Sequence, residues 1–127
     1  MYSLRCEPER KLIVTEIHGF LTVGQVESFS VEEQQLARSM GCASGEYLLM
    51  VITEDAVIQS QEVVAKFMEI VSGSALKARR VAVVRGASLT RMQTQRILSG
   101  RKEAAIFVTR AEAEVWLFGE RAAADAA

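Results

Sequence analysis

Two short apolar stretches decide the fold of this chain: YLLMVIT at Tyr47–Thr53 and RVAVV at Arg80–Val84. An almost unbroken apolar run of this length is typical of a strand buried on both faces, as in a parallel sheet with helices above and below. We therefore expect the two segments to lie side by side as inner strands of an α/β domain, between helical layers.

The residues before these strands predict an N-terminal hairpin. Tyr2–Cys6 is expected to be a short strand, and Glu7–Arg10 is the expected turn because it contains the one proline of the chain. Lys11–Ile17 follows as a second strand, rich in β-branched residues. This hairpin would add one antiparallel strand to a mostly parallel sheet.

Capping residues predict a helix after each of the remaining strands. The expected helix starts are a capping box in Thr22–Gln25, the N-cap residues Ser60 and Ser88, and a second capping box in Thr109–Glu112. The first three helices are expected to end at Gly41, at Ser72–Ser74 and at Ser99–Gly100. The last strand is expected at Ala104–Val108. The resulting order, β-β-α-β-α-β-α-β-α, implies right-handed crossovers with helices on the faces of the sheet.

Length and composition predict one domain and argue against several kinds of partner. The 127 residues are expected to form a single domain over 1–119, followed by an Ala-rich tail or helix extension at 120–127. Fifteen basic and 16 acidic residues give a net charge of −1, so nucleic acid is not an expected partner. Two cysteines outside any Cys-x-x-Cys pair and one histidine do not make a metal site, and no cofactor is expected.

The sequence also predicts a cytoplasmic protein without a transmembrane segment. Met1–Arg10 contains no apolar leader. No apolar run approaches the ~20 residues that a membrane-spanning helix needs. Cys6 and Cys42 are interpreted as reduced, partly buried thiols.

The element order and four stretches of the C-terminal half carry a resemblance to a known family. Those stretches are Arg80–Val84, Ser88–Gln93, Ala105–Phe107 and Glu112–Leu117. The chain resembles the STAS domain, the fold of bacterial anti-sigma factor antagonists, and within it an uncharacterised STAS-like branch related in fold to CRAL-TRIO lipid-binding domains. The resemblance implies a regulatory or binding domain rather than an enzyme.

The phosphorylation motif of the signalling members of that family has no counterpart in this chain. Those members carry Asp-Ser-Ser/Thr-Gly at the start of the second helix, and the serine accepts the phosphate. The corresponding stretch here is Gln59–Val63, which reads QSQEV. Ser60 is therefore interpreted as an N-cap, and the sequence leaves open whether it is ever phosphorylated.

The expected ligand site lies at the C-terminal edge of the sheet, where ligands of open α/β sheets bind. Its candidate residues are Asp55, Ser60, Arg85, Ser88 and Arg91. A turn at Gly86 and a helix N-terminus at Ser88, flanked by two arginines, would suit an anion, although capping and solvated arginines explain the same residues.

The predicted function is that of a non-enzymatic binding or regulatory module that acts through protein–protein contacts, with another protein or with itself as a homodimer. The alternative is a carrier of a small apolar or anionic ligand at the C-terminal edge of the sheet. An enzyme ranks last, because His18, Glu54 and Asp55 form no recognisable catalytic arrangement.

Overall fold

The structure is a computed structural model that describes residues 1–73, 76–85, 88–99, 101 and 103–126, except for the side chains of 88–90 and 120–126. The strands are β1 (Tyr2–Glu7), β2 (Leu12–Gly19), β3 (Leu48–Ala56), β4 (Arg80–Arg85) and β5 (Ala104–Phe107). The α-helices are α1 (Val23–Ser39), α2 (Gln61–Gly73), α3 (Ser88–Leu98) and α4 (Arg110–Ala126). This is the predicted order of elements.

The five strands form one sheet in the order β1-β2-β3-β4-β5. β1 pairs with β2 antiparallel, and the remaining neighbours pair parallel. The hairpin between β1 and β2 turns through a 3₁₀ segment at Pro8–Arg10, and Lys11 then adopts the left-handed conformation at φ 51°. The mixed α/β fold that the sequence predicts is therefore confirmed.

The predicted N-terminal caps of α1 and α2 form. Thr22 Oγ1 accepts a hydrogen bond from Gln25 N at 3.1 Å, and Gln25 Oε1 accepts one from Thr22 N at 2.9 Å, which completes the capping box of α1. Ser60 Oγ accepts from Val63 N at 3.2 Å at the start of α2. Each cap satisfies an amide group that the first turn of a helix leaves without an intrahelical partner.

Several element ends differ from the sequence prediction by a few residues. β3 begins at Leu48 rather than Tyr47 and continues to Ala56, because Gly19 of the extended strand β2 pairs with Ala56. β5 stops at Phe107, one residue early. Helix α4 continues to Ala126, which agrees with the helix extension that the sequence left open beside a tail. The expected turn and helix ends at Gly86, Ser74 and Gly100 lie outside the described residues.

Alternation along the strands divides the core between the two faces of the sheet. Helix α4 covers one face, where Leu48, Met50 and Ile52 of β3 pack with Leu117. Helices α1, α2 and α3 cover the opposite face, to which Leu49 of β3 belongs. Both faces of the inner strands are covered, as the apolar runs predict.

Candidate ligand-binding cavity

A cavity of about 130 Å³ lies between the sheet and the three helices α1–α3. Its floor is made by Leu49 and Val51 of β3 and by Val81 and Val83 of β4. These are the odd-numbered residues of both strands, which all point to the same face because side chains alternate along a strand. The cavity is therefore a consequence of how the helices sit on this face.

Helix α2 forms much of the roof of the cavity, and its closest backbone neighbours are helices rather than strands. It packs against α1 on one side and α3 on the other. The Phe67 ring of α2 meets the Phe29 ring of α1 edge to face, with 6.2 Å between the ring centroids. Both rings line the cavity, so the α1–α2 contact is also part of its wall.

Glutamine side chains close the end of the cavity at the C-terminal edge of the sheet. Gln59 N donates to Gln93 Oε1 at 2.8 Å, and Gln93 Nε2 donates to Gln59 O at 2.9 Å, which fastens the loop after β3 to α3. The Gln59 side chain also accepts from Leu21 N at 2.8 Å and donates to Gly19 O at 2.9 Å. One residue thereby joins three segments at this end.

Charged residues line the opposite end of the cavity, near the N-terminal ends of the parallel strands. They are Glu33 of α1, Lys77 before β4 and Arg101 before β5. Lys77 Nζ donates to Ser72 O at 3.2 Å, and Arg101 Nη2 donates to Ala78 O at 2.5 Å. Both cationic groups are thus directed to backbone carbonyls.

Glu33 is hydrogen-bonded to a buried tyrosine. Tyr47 OH donates to Glu33 Oε2 at 2.6 Å, and Tyr47 is fully buried at the entrance to β3. Burial raises the pKa of Glu33, and the hydrogen bond from Tyr47 and the positive charge of Arg101 oppose that shift only in part. Burial and the neighbouring carboxylate also raise the pKa of Tyr47, so its hydroxyl remains a donor at any working pH.

The sequence contains a signal for Glu33, although Glu33 belongs to no recognisable motif. The inner face of α1 is marked by the buried residues Val26, Phe29 and Ala37. Glu33 lies four residues after Phe29 and four before Ala37, which places it on the same face of the helix. A carboxylate in an apolar stripe is the kind of residue that a buried polar site requires.

The residues predicted for the ligand site do not converge on the cavity. Asp55 is exposed and contacts His18, with 3.3 Å between Asp55 Oδ2 and His18 Nδ1. Ser60 caps α2, and Arg91 is exposed on α3. Arg85 ends β4, and its buried Nε has no hydrogen-bond partner among the described residues. The side chain of Ser88, like Gly86, lies outside the described residues.

The C-terminal edge nevertheless carries an exposed apolar patch, made by Phe20, Val57, Ile58 and Met92. Phe20 and Met92 are the most exposed, at 72% and 69%. Each member belongs to the Gln59 hydrogen-bond network or adjoins in sequence a residue of it, which brings the four residues to the same edge. Val57 also lines the cavity, so the patch and the cavity meet at this edge.

Ion pairs occupy the neighbouring part of the edge. Arg110 Nη2 lies 2.9 Å from Glu54 Oε1 and 3.5 Å from Glu16 Oε1. The two acidic residues near the end of β3, Glu54 and Asp55, are thus engaged with Arg110 and His18 respectively. Within the described part of the chain, no group of three or more His, Cys, Asp or Glu residues is arranged to hold a metal ion. Nor do the described helices include one with the length and hydropathy of a membrane span.

Comparison with known proteins identifies the fold. No family model matches the sequence, and no curated protein sequence matches it. A solved structure of an uncharacterised protein of the DUF3478 family, from Shewanella loihica PV-4, has a SpoIIAA-like fold and is similar to this chain. The TM-score is 0.68 at 17% sequence identity, and the alignment covers 92% of each chain. The STAS-like fold expected from the sequence is therefore confirmed.

Proposed function

We propose that this chain is a non-enzymatic binding module that holds a small apolar molecule in the cavity between the sheet and helices α1–α3. The observation on which this function chiefly rests is the cavity itself, which is apolar along its floor and roof and has polar groups at its ends. Ligand pockets commonly combine an apolar lining with a few placed polar groups. This proposal corresponds to the alternative function predicted from the sequence, a carrier of a small ligand, and it specifies an apolar rather than an anionic ligand.

The size of the cavity indicates the size of the ligand. An engineered apolar cavity of about 150 Å³ in another protein stays dry and binds benzene, so about 130 Å³ suits a single ring. Burying roughly 200 Å² of aromatic surface at about 25 cal/mol per Å² contributes about 5 kcal/mol. That free energy corresponds to a dissociation constant of roughly 0.2 mM before any polar contact is made.

Toluene is a suitable first probe, because it is ring-sized and has no polar group. We expect backbone amide NMR signals of cavity residues such as Val83 and Phe67 to shift on titration with toluene, while signals of α4 stay in place. A saturating concentration should also raise the melting temperature, since a ligand that binds only the folded state stabilises it. Absence of localised shifts at saturating toluene would overturn the proposal.

A matched pair of variants tests the location of the site. Val71→Phe inserts a ring from α2 into the cavity, and Val115→Phe makes the same change at an exposed position of α4. We expect Val71→Phe to weaken toluene binding at least tenfold and Val115→Phe to bind like the wild type. Equal binding by both variants, with Val71→Phe folded by circular dichroism, would place the ligand elsewhere.

The exposed patch of Phe20, Val57, Ile58 and Met92 supports a second candidate function, self-association as a homodimer. Contiguous apolar surface on a protein commonly marks a protein interface. Light scattering should then give the mass of a dimer for the wild type and of a monomer for Phe20→Ser. Val31→Ser, an exposed apolar residue of α1 away from this edge, is the control. A monomeric wild type would contradict self-association.

Two further features support a binding module in the cytoplasm. His18 contacts Asp55, but among the described residues no hydroxyl or thiol group is hydrogen-bonded to its ring, so a nucleophile–base pair is not assembled there. Cys6 and Cys42 are unpaired thiols, which suit a reducing compartment. A substrate screen that found turnover abolished by His18→Ala would contradict the non-enzymatic function.

A further inference from the structure

The polar end of the cavity carries information on the chemistry of the ligand. Glu33, Lys77 and Arg101 line this end. Hydrogen-bonding groups of these side chains that have no partner in the protein indicate what a ligand must supply. The cationic groups of Lys77 and Arg101 each donate one hydrogen bond to a backbone carbonyl. An ammonium group has three donors and a guanidinium group has five, so both side chains keep donors that a ligand oxygen can use. Glu33 Oε2 accepts from Tyr47, but no donor among the described residues is hydrogen-bonded to Glu33 Oε1.

An unused carboxylate oxygen in an apolar cavity favours a ligand that donates a hydrogen bond. Glu33 is half-buried, and its Oε1 is not one of the buried side-chain atoms that lack a partner among the described residues, so a donor that enters the cavity can reach it. Hydrogen bonds to an ionised carboxylate are shorter and stronger than those between neutral groups. The donor could belong to a hydroxyl group or to an ammonium group, and the surrounding charges distinguish between them.

Lys77 and Arg101 argue against a charged amine at this end of the cavity. An ammonium group next to Glu33 would face two positive charges that line the same end, and like charges disfavour one another most where water is scarce. A carboxylate ligand would be attracted by these two cations, but it has no hydrogen to donate to Glu33 Oε1 and would place a second negative charge beside that oxygen. An uncharged hydroxyl group avoids both repulsions and still donates to the carboxylate.

We propose that the ligand is an uncharged, ring-sized alcohol or phenol, whose hydroxyl group donates to Glu33 Oε1 while its ring fills the cavity between the sheet and α2. This inference rests on the proposed function, because it requires that the cavity binds apolar molecules. Tyr47 acts as a positioning residue: its hydroxyl group holds Glu33 Oε2 and leaves Oε1 to the ligand. Burial of the ligand's ring provides the affinity, and the hydrogen bond to Glu33 provides the specificity for a hydroxyl group.

Four probes with one ring and different head groups separate the alternatives: toluene, benzyl alcohol, benzylamine and benzoate. Their dissociation constants are measured by calorimetric or NMR titration at pH 8 on the wild type and on Glu33→Leu. We expect benzyl alcohol to bind more tightly than benzylamine and benzoate. In Glu33→Leu, benzyl alcohol should lose about tenfold or more in affinity relative to toluene, because a hydrogen bond to a charged group is removed.

A second substitution keeps the test valid if Glu33→Leu does not fold. Glu33→Gln keeps an oxygen acceptor without the charge, so benzyl alcohol should weaken several-fold while toluene is unchanged. The control is Glu27→Gln, the same change at an exposed position of α1, which should leave all four affinities unaltered.

The outcomes distinguish this inference from the proposed function. If toluene does not bind, the proposed function fails. If toluene binds but the preference for benzyl alcohol is unaffected by both Glu33 substitutions, the cavity site stands and the alcohol inference is overturned. Tighter binding of benzylamine or benzoate than of benzyl alcohol overturns it as well.

Discussion

One face of the sheet is covered by α4 alone and carries a buried apolar cluster, whereas the other is covered by three helices and borders a partly open cavity. On the α4 face, Leu12, Val14, Ala82 and Val84 form one cluster with Leu117, and each is nearly or fully buried. On the opposite face, neighbouring residues of the same strands border about 130 Å³ of open space. More helices therefore do not give closer packing.

The way each helix is held explains this difference. Helix α4 is fixed by polar contacts around its apolar side: Arg10 is hydrogen-bonded to Glu114, and the buried Arg80 donates to Trp116 O at 2.7 Å and lies over the Trp116 ring. Helix α2 lies between α1 and α3, and its backbone does not approach the strands as closely. We infer that the face covered by α4 contributes most to stability, and that the face covered by α1, α2 and α3 provides the binding site.

The largest expected difference between the faces comes from removing a leucine side chain from each. Leu117→Ala, on the packed face, should lower the free energy of unfolding by about 3 kcal/mol, because it leaves a cavity in a filled core. Leu98→Ala makes the same change at a partly exposed position that already borders the cavity. Its expected cost is about 1 kcal/mol, since fewer contacts are lost.

Urea denaturation followed by circular dichroism measures both values, and each variant is compared with the wild type under the same conditions. Val115→Ala, at an exposed position of α4, controls for effects of substitution on that helix outside the core. Equal losses for the two leucine variants would mean that the faces are packed alike, and the comparison would fail.

A smaller effect is expected from adding one methylene group to each face. Val83 and Val84 are consecutive residues of β4 that point to opposite faces, so the same substitution tests both. Val84→Ile should cost about 1–3 kcal/mol, because a filled core has no room for the extra group. Val83→Ile extends toward the cavity and should be neutral or stabilise the fold by up to about 0.8 kcal/mol.

Thermal unfolding of the two isoleucine variants gives the sign of each change directly. Val83→Ile should also weaken toluene binding, because it occupies part of the ligand's space, whereas Val84→Ile should leave toluene binding unchanged in the folded protein. Destabilisation by Val83→Ile as large as that by Val84→Ile would show that the cavity cannot accept a methylene group.

The packed face could be predicted from the sequence, and the cavity could not. Apolar runs such as Tyr47–Thr53 and Arg80–Val84 identify buried strands because burial on both faces leaves a local pattern. Capping residues such as Thr22 act within one helical turn and are equally local. A cavity depends instead on how far α2 stands from the sheet, which residues distant in sequence, such as Phe29 and Phe67, help to determine.

The candidate site, too, has one part that could be predicted from local sequence and one part that depends on the tertiary structure. A general rule about parallel sheets directed the prediction to Asp55, Ser60 and Arg91 at the C-terminal edge. One end of the cavity does lie at this edge, at Gln59 and Val57, but the charged residues that line the cavity lie at its other end. Glu33 could have been found as a carboxylate on the inner face of α1, whereas its contact with Tyr47 required the tertiary structure.

The smallest expected effect concerns the charge of Glu33, a carboxylate that lines the cavity. Because burial raises the pKa of Glu33, the folded chain holds this proton more tightly than the unfolded chain does. Its stabilising contribution is complete at a pH below the ordinary glutamate pKa, and is lost as the pH rises through the folded-state pKa. Glu33→Gln does not titrate and should lack this dependence.

The free energies of unfolding of the wild type and Glu33→Gln should therefore differ at pH 8 and converge on acidification. At pH 8 we expect the variant to be more stable by about 1 kcal/mol or less, since it keeps a hydrogen bond with Tyr47 and buries no charge. Glu27→Gln, on the exposed side of α1, should show no such pH-dependent difference. If Glu33→Gln were instead the less stable protein at pH 8, Tyr47 and Arg101 would outweigh burial, and the charged form of Glu33 would stabilise the cavity face.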